Sequence, residues 1–106
     1  MPSTGKRVER DRAGDPEERA ALLVREADEF MADVLRPGRW PQRRTIERFL
    51  DGDRLDRVLA LYREAMRLDP LEPAYPWNLA SALRRLGLND LALSFVERAK
   101  IGRAHV

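Results

Sequence analysis

The chain has 106 residues, 43% of them apolar and 36% charged, with a formal net charge of +2 at pH 7 and no cysteine. That length holds one domain with a modest core, stable by roughly 5–10 kcal/mol. The lack of cysteine excludes disulfides, thiolate metal ligands and cysteine nucleophiles and suits a cytoplasmic setting, while no apolar run reaches the roughly 18 residues of a membrane span and no apolar N-terminal stretch marks a secretory signal.

Charge is more informative by segment. Residues 1–14 carry +2, residues 15–72 carry −3 from 11 arginines and 14 acids, and residues 73–106 carry +3. The total is too small to point to nucleic acid by itself. Arginine supplies 18 of the 20 basic residues, a bias that a GC-rich bacterial genome explains as well as a binding role does.

Residues 1–14 have no apolar periodicity and read as a disordered tail. Residues 15–106 then form a single helical domain. Asp15-Pro16-Glu17-Glu18 predicts a helix start: an acceptor to cap, a proline where the missing N–H costs nothing, and two acids at the positive end of the dipole. The helix should reach Leu35, before Arg36-Pro37-Gly38. Ala20, Leu23, Val24, Ala27, Phe30, Met31, Val34 and Leu35 make one apolar stripe at three- and four-residue steps. Glu26, Glu29 and Asp33 form an acidic flank. A solvated face explains it better than a cation site, because three carboxylates on one straight helix cannot surround an ion.

Trp40-Pro41 opens a shorter helix to Asp51, with Ile46, Phe49 and Leu50 on its buried side and Gly52 as its stop. Asp53 is expected to cap the next helix, which ends at Asp69-Pro70. A fourth helix follows Pro73, with Pro76 in its first turn, and closes at Gly87. Asn89 is expected to cap a fifth, which ends near Ile101 and Gly102. No segment alternates with period two, so no sheet is expected. Five helices with short connections make an all-α fold.

Two stretches align when the chain is shifted by 34 residues: Leu59 meets Leu93, Leu61 meets Phe95, Tyr62 meets Val96, and Ala65 meets Ala99. Residues 73–104 carry Asn78-Leu79-Ala80, then Leu83, Gly87, Ala92 and Ala99. On these residues the chain resembles the tetratricopeptide repeat family. Asn78-Leu79-Ala80 stands where the family has Asn-Leu-Gly, Leu83 at an aromatic position, Gly87 at the turn glycine, and Ala92 and Ala99 at the small positions of the second helix. Small residues there let paired helices approach to about 8–9 Å. The resemblance covers 53–104 closely and 40–52 loosely, since Gly52 lies six residues before Val58 but Gly87 only five before Ala92. It implies a right-handed stack of antiparallel helix hairpins: a degenerate unit over 40–72, a regular unit over 73–104, and residues 15–36 as an extra capping helix.

The resemblance further implies a groove, lined by the first helix of each unit, that holds a peptide or helix of a partner protein. On this chain its lining would be Ala74, Trp77, Asn78, Ser81, Arg84 and Arg85, with Arg43 and Arg44 from the upstream unit. Trp77 supplies contact area and an N–H, and Asn78 a paired donor and acceptor for an extended backbone. The four arginines could grip an acidic peptide or a carboxylate. Competing readings stay open at each point: Trp77 as core against helix 53–68, Asn78 as a helix-packing residue, and the arginines as ordinary surface charge, with Arg43 paired to Glu47. Trp40 is expected to pack beneath its loop, and Phe30, Phe49, Tyr62 and Phe95 to lie in the core.

Catalysis has little support. His105 is the sole histidine, and no phosphate-cradling glycine loop or nucleophile elbow is present. The expected function is a protein-binding adaptor without cofactor or metal. The alternative is self-assembly into a homodimer through uncovered helix faces, or docking of the acidic residues 15–36, net −4, onto the basic C-terminal unit. Nucleic-acid binding through the basic tail and the arginines is the weaker third reading, since most arginines have acidic neighbours and no helix-turn-helix or stacking motif emerges.

Overall fold

The structure, a computed structural model, describes residues 15–104, with side chains described through residue 100. The expected tail and His105 lie outside the described residues. Five helices follow in order: α1 (Pro16–Met31), α2 (Arg43–Asp51), α3 (Arg54–Leu68), α4 (Ala74–Arg85) and α5 (Asn89–Ala104). Among the described residues there is no strand.

The start of α1 forms as its sequence dictates. The Asp15 carboxylate accepts from the Glu17 amide at 3.0 Å and more weakly from that of Glu18 at 3.5 Å. The helix stops at Met31, four residues short of the expected Leu35. Pro37 disfavours helical geometry at Arg36, and ahead of it Leu35 N–H still reaches the Met31 carbonyl at 2.8 Å. The chain loosens into turns, with Ala32 N–H bonding Glu29 and Val34 N–H bonding Met31. Val34 stays buried and pins those turns to the core.

Helix α2 begins at Arg43 rather than at Trp40-Pro41. Gln42 is extended and caps without a side-chain bond, and Pro41 disfavours helical geometry at Trp40. Asp53 occupies the N-cap of α3, but its carboxylate accepts nothing there. Asn89 is the first residue of α5 rather than its cap, since the Leu88 carbonyl receives the Ala92 N–H. Helix α5 also runs through Gly102 to Ala104.

The α4–α5 turn closes as expected. Gly87 has φ +84°, the Leu88 N–H reaches the Leu83 carbonyl at 2.9 Å, and the Gly87 N–H reaches that of Arg84 at 3.0 Å. This pair of bonds is the Schellman arrangement, which needs a left-handed residue after the cap.

Two helix pairs dominate the packing: α1 with α3, and α4 with α5. Helix α1, expected only to cap, is thus the main partner of α3, while α2 touches α3 less extensively. The α1–α3 pair is antiparallel, because contacts that ascend α3 descend α1. Arg54 lies 4.0 Å from Asp33, Arg57 stacks 5.4 Å over the Phe30 ring, and the Tyr62 hydroxyl donates to Asp28 at 2.7 Å. Completely buried alanines, Ala20 and Ala27 on α1 and Ala65 on α3, bring these helices together.

The core continues through α3 into the second pair. Phe49, Val58, Tyr62, Met66, Leu79 and Leu83 are its largest fully buried side chains. Ala80, Ala92 and Ala99 are buried in the α4–α5 pair, where the repeat pattern places small residues. Phe95 is buried as expected, and Phe30 packs on the rim.

Candidate interaction surface

Helix α4 has two unlike faces. Leu79, Ala80, Ala82 and Leu83 are buried, whereas Ala74, Trp77, Asn78, Ser81 and Arg84 are exposed. The exposed positions recur at three- and four-residue steps, so they form one stripe along the helix. Trp77 is 44% exposed, which places it on this surface and not in the core against α3. Asn78 and Ser81 follow it on the same face.

Arg85 ends the ridge that begins with Trp77 and Ser81, but it is not a free cation. One guanidinium nitrogen donates to the Arg36 carbonyl at 3.0 Å and also to that of Arg39. Its charged carbon sits 5.8 Å from the centre of the Trp40 ring. Arg85 is therefore a clasp that ties the α1–α2 connection to the end of α4. The family resemblance places it in the groove lining, but a repeat pattern gives a residue's place on its helix, not the loop that returns to meet it.

Trp40 departs furthest from expectation. It is 74% exposed instead of packed beneath its loop. The loop docks through its backbone carbonyls, and the turn at Gly38 (φ +76°) leaves the indole outside. Arg43 and Arg44 are exposed on the first turn of α2. Among the described residues neither they nor Arg84 enter an ion pair, so the Arg43–Glu47 pairing does not form. The structure joins Arg85, not Arg84, to the α1–α2 segment.

No family model, curated protein or solved structure matches this chain. Its own geometry therefore carries the functional argument.

Depressions in the described surface lie beside Trp40 and, separately, along α1. One, of about 270 Å³, is lined by Asp33, Arg36, Arg39, Trp40, Gln42 and Thr45 among others. The other, about 470 Å³ and largely apolar, lies between α1 and Tyr75, with Ala21, Val24 and Ala32 in its wall. Beside it runs the Tyr62–Asp28 hydrogen bond. Burial, reinforced by that bond and by the Asp28 charge, raises the Tyr62 pKa far above the ordinary phenol value. Tyr75 is raised too, by burial first and then by Asp69, Glu72 and Glu17. Both stay neutral hydroxyls at physiological pH. Among the described residues no group of three His, Cys, Asp or Glu is placed to hold a metal, and no helix is long and apolar enough to cross a membrane.

Proposed function

We propose that this chain is a polypeptide-binding adaptor whose contact surface is the outer face of α4. One observation carries the reading: an exposed stripe of Trp77, Asn78, Ser81 and Arg84 on a helix whose opposite face is locked into the core. Tryptophan and arginine are the residue types that most often dominate binding energy at interfaces. A rigid helix also presents them with little ordering cost. Asn78 adds a donor and acceptor for a partner's backbone. The tetratricopeptide-like pattern of residues 53–104 supports the same surface, since the first helix of such a unit faces the groove. Arg43 and Arg44 lie on α2, apart from this stripe, and Arg85 acts through the loop it holds.

Titrating captured partner proteins against the wild type and a Trp77→Ala, Arg84→Ala double variant tests the surface. Loss of one anchor costs about 2 kcal/mol or more, so binding should weaken at least tenfold. Equal affinity for both proteins would rule the α4 face out.

A second reading is self-association. Leu22, Leu71 and Leu93 are each more than half exposed, and Leu93 lies on α5. Two copies joined there would bury apolar surface. The intrachain form of this idea, acidic α1 on the basic C-terminal unit, gives way to the α1–α3 packing. Sedimentation at micromolar concentration tests the dimer, and a monomer throughout excludes it.

A further inference from the structure

We propose that the segment of residues 36–45 is a binding site for single-stranded polynucleotide, with Trp40 as stacking platform and Arg36, Arg39, Arg43 and Arg44 as phosphate ligands. The site is distinct from the polypeptide surface of α4 and does not rest on it. It also differs from the basic tail, which lies outside the described residues.

Charge is the first argument. Between Val34 and Ile46 the chain has four arginines and no acid. All four are exposed, and among the described residues none enters an ion pair. Arg85 brings a fifth guanidinium over the Trp40 ring. Arg36 and Arg39 line one depression beside Trp40, and Arg43 and Arg44 follow on the first turn of α2; like charges along one short segment repel one another, and a polyanion relieves them. The nearest acid on the cavity wall, Asp33, lies 4.0 Å from Arg54.

The indole decides which polyanion. Trp40 contributes little to the core at 74% exposure, and its contact with the Arg85 guanidinium, 5.8 Å from the ring centre, leaves most of the indole open to a ligand. An acidic peptide without aromatic side chains, such as polyglutamate, would satisfy the guanidiniums but offer the flat ring no stacking partner. A nucleic-acid base does, since every base has a π-face, and stacking tolerates any sequence. Beside the ring, the 270 Å³ depression carries Gln42 and Thr45, whose polar groups can bond a base edge. The backbone is held in advance. Pro37 and Pro41 restrict it, and Arg85 fastens the Arg36 and Arg39 carbonyls, which lowers the ordering cost of binding.

The full chain contains two tryptophans, so a Trp77→Phe variant makes Trp40 the sole indole reporter. It is titrated with oligo(dT) and oligo(U) of about 15 nucleotides, near the upper footprint of a small single-strand binder, and with polyglutamate of similar charge. Quenching by either oligonucleotide is expected, with a log–log salt slope of about −2 to −3 for three or four phosphates. By anisotropy of a labelled oligonucleotide, Trp40→Ala should weaken binding about tenfold or more with unchanged helicity. Trp40→Phe, which keeps a ring, should lose only a few-fold, and serves if the alanine variant misfolds. Replacing Arg39, Arg43 and Arg44 together by Gln should flatten the slope by about 2. No quenching by either oligonucleotide, polyglutamate bound as tightly, or an unaffected Trp40→Ala would each overturn the proposal. The relative affinity for oligo(dT) and oligo(U) separates DNA from RNA as the favoured strand, and tighter binding of either one supports the site.

Discussion

Removing the Tyr62 hydroxyl tests the packing on which the whole N-terminal half depends. Tyr62 is buried in α3, and its hydroxyl donates 2.7 Å to Asp28 of α1. A hydrogen bond to an ionised carboxylate contributes about 1.5–3 kcal/mol. Asp28 is exposed and regains water when the bond is lost, so Tyr62→Phe belongs at the low end, about 1.5 kcal/mol. For a domain of this size that lowers Tm by about 6–12 °C. Asp28→Ala should cost as much or more, because it strands a hydroxyl that water reaches poorly. The double variant should then show a coupling of at least about 1 kcal/mol.

The same residue sets an alkaline limit. In the unfolded chain a tyrosine releases its proton near pH 10, whereas Tyr62 holds its proton far more tightly in the fold. Its contribution is therefore present in full below about pH 10 and falls as pH rises beyond, at up to about 1.4 kcal/mol per pH unit. Tyr62→Phe should make that decline shallower, and Tyr75, raised in the same direction, should leave a residue of it. Urea titrations followed by circular dichroism at pH 7 and through pH 9–11 measure both effects. A Tyr62→Phe variant as stable as wild type, or a coupling near zero, would refute the docking of α1 on α3.

Gly87→Ala should destabilise by about 1–2 kcal/mol in the same assay: an added Cβ meets nothing within 4 Å, so the whole cost is the positive φ. Ala80→Leu should cost about 1–3 kcal/mol by overpacking the α4–α5 pair. Arg85→Ala should leave global stability nearly unchanged yet raise amide exchange across residues 36–42, which it ties to α4 through side-chain hydrogen bonds.

Much of the fold was legible in the residues. Every helix, the Asp15 cap, the Gly87 turn and nearly all the core stripe follow from apolar spacing and from proline and glycine positions. Pairing was not legible. Buried stripes on α1 and α2 announce that each packs, but periodicity carries no address, and the 34-residue repeat favoured α2 as the neighbour of α3. The small residues Ala20 and Ala27 on α1 and Ala65 on α3, all completely buried, were the available clue. The exposed face of α4, with Trp77, Asn78, Ser81 and Arg84, could be read from the family resemblance, although the residues themselves also allowed Trp77 in the core and Asn78 between helices. The fate of Arg85 and Trp40 could not, because it depends on a loop returning from 49 residues earlier in the chain.

Pairing α1 with α3 across the intervening residues 32–53 also bears on how the chain is made. Closing a segment of about 20 residues costs about 1.7 kcal/mol more entropy than closing the short connection that joins α4 to α5. During synthesis α1 leaves the ribosome long before α3 can cover its apolar side. The nascent chain thus carries an uncovered sticky helix for several seconds at ordinary translation speeds of about 5–20 residues per second, an interval in which chaperones gain access and misassembly between neighbouring chains competes with folding.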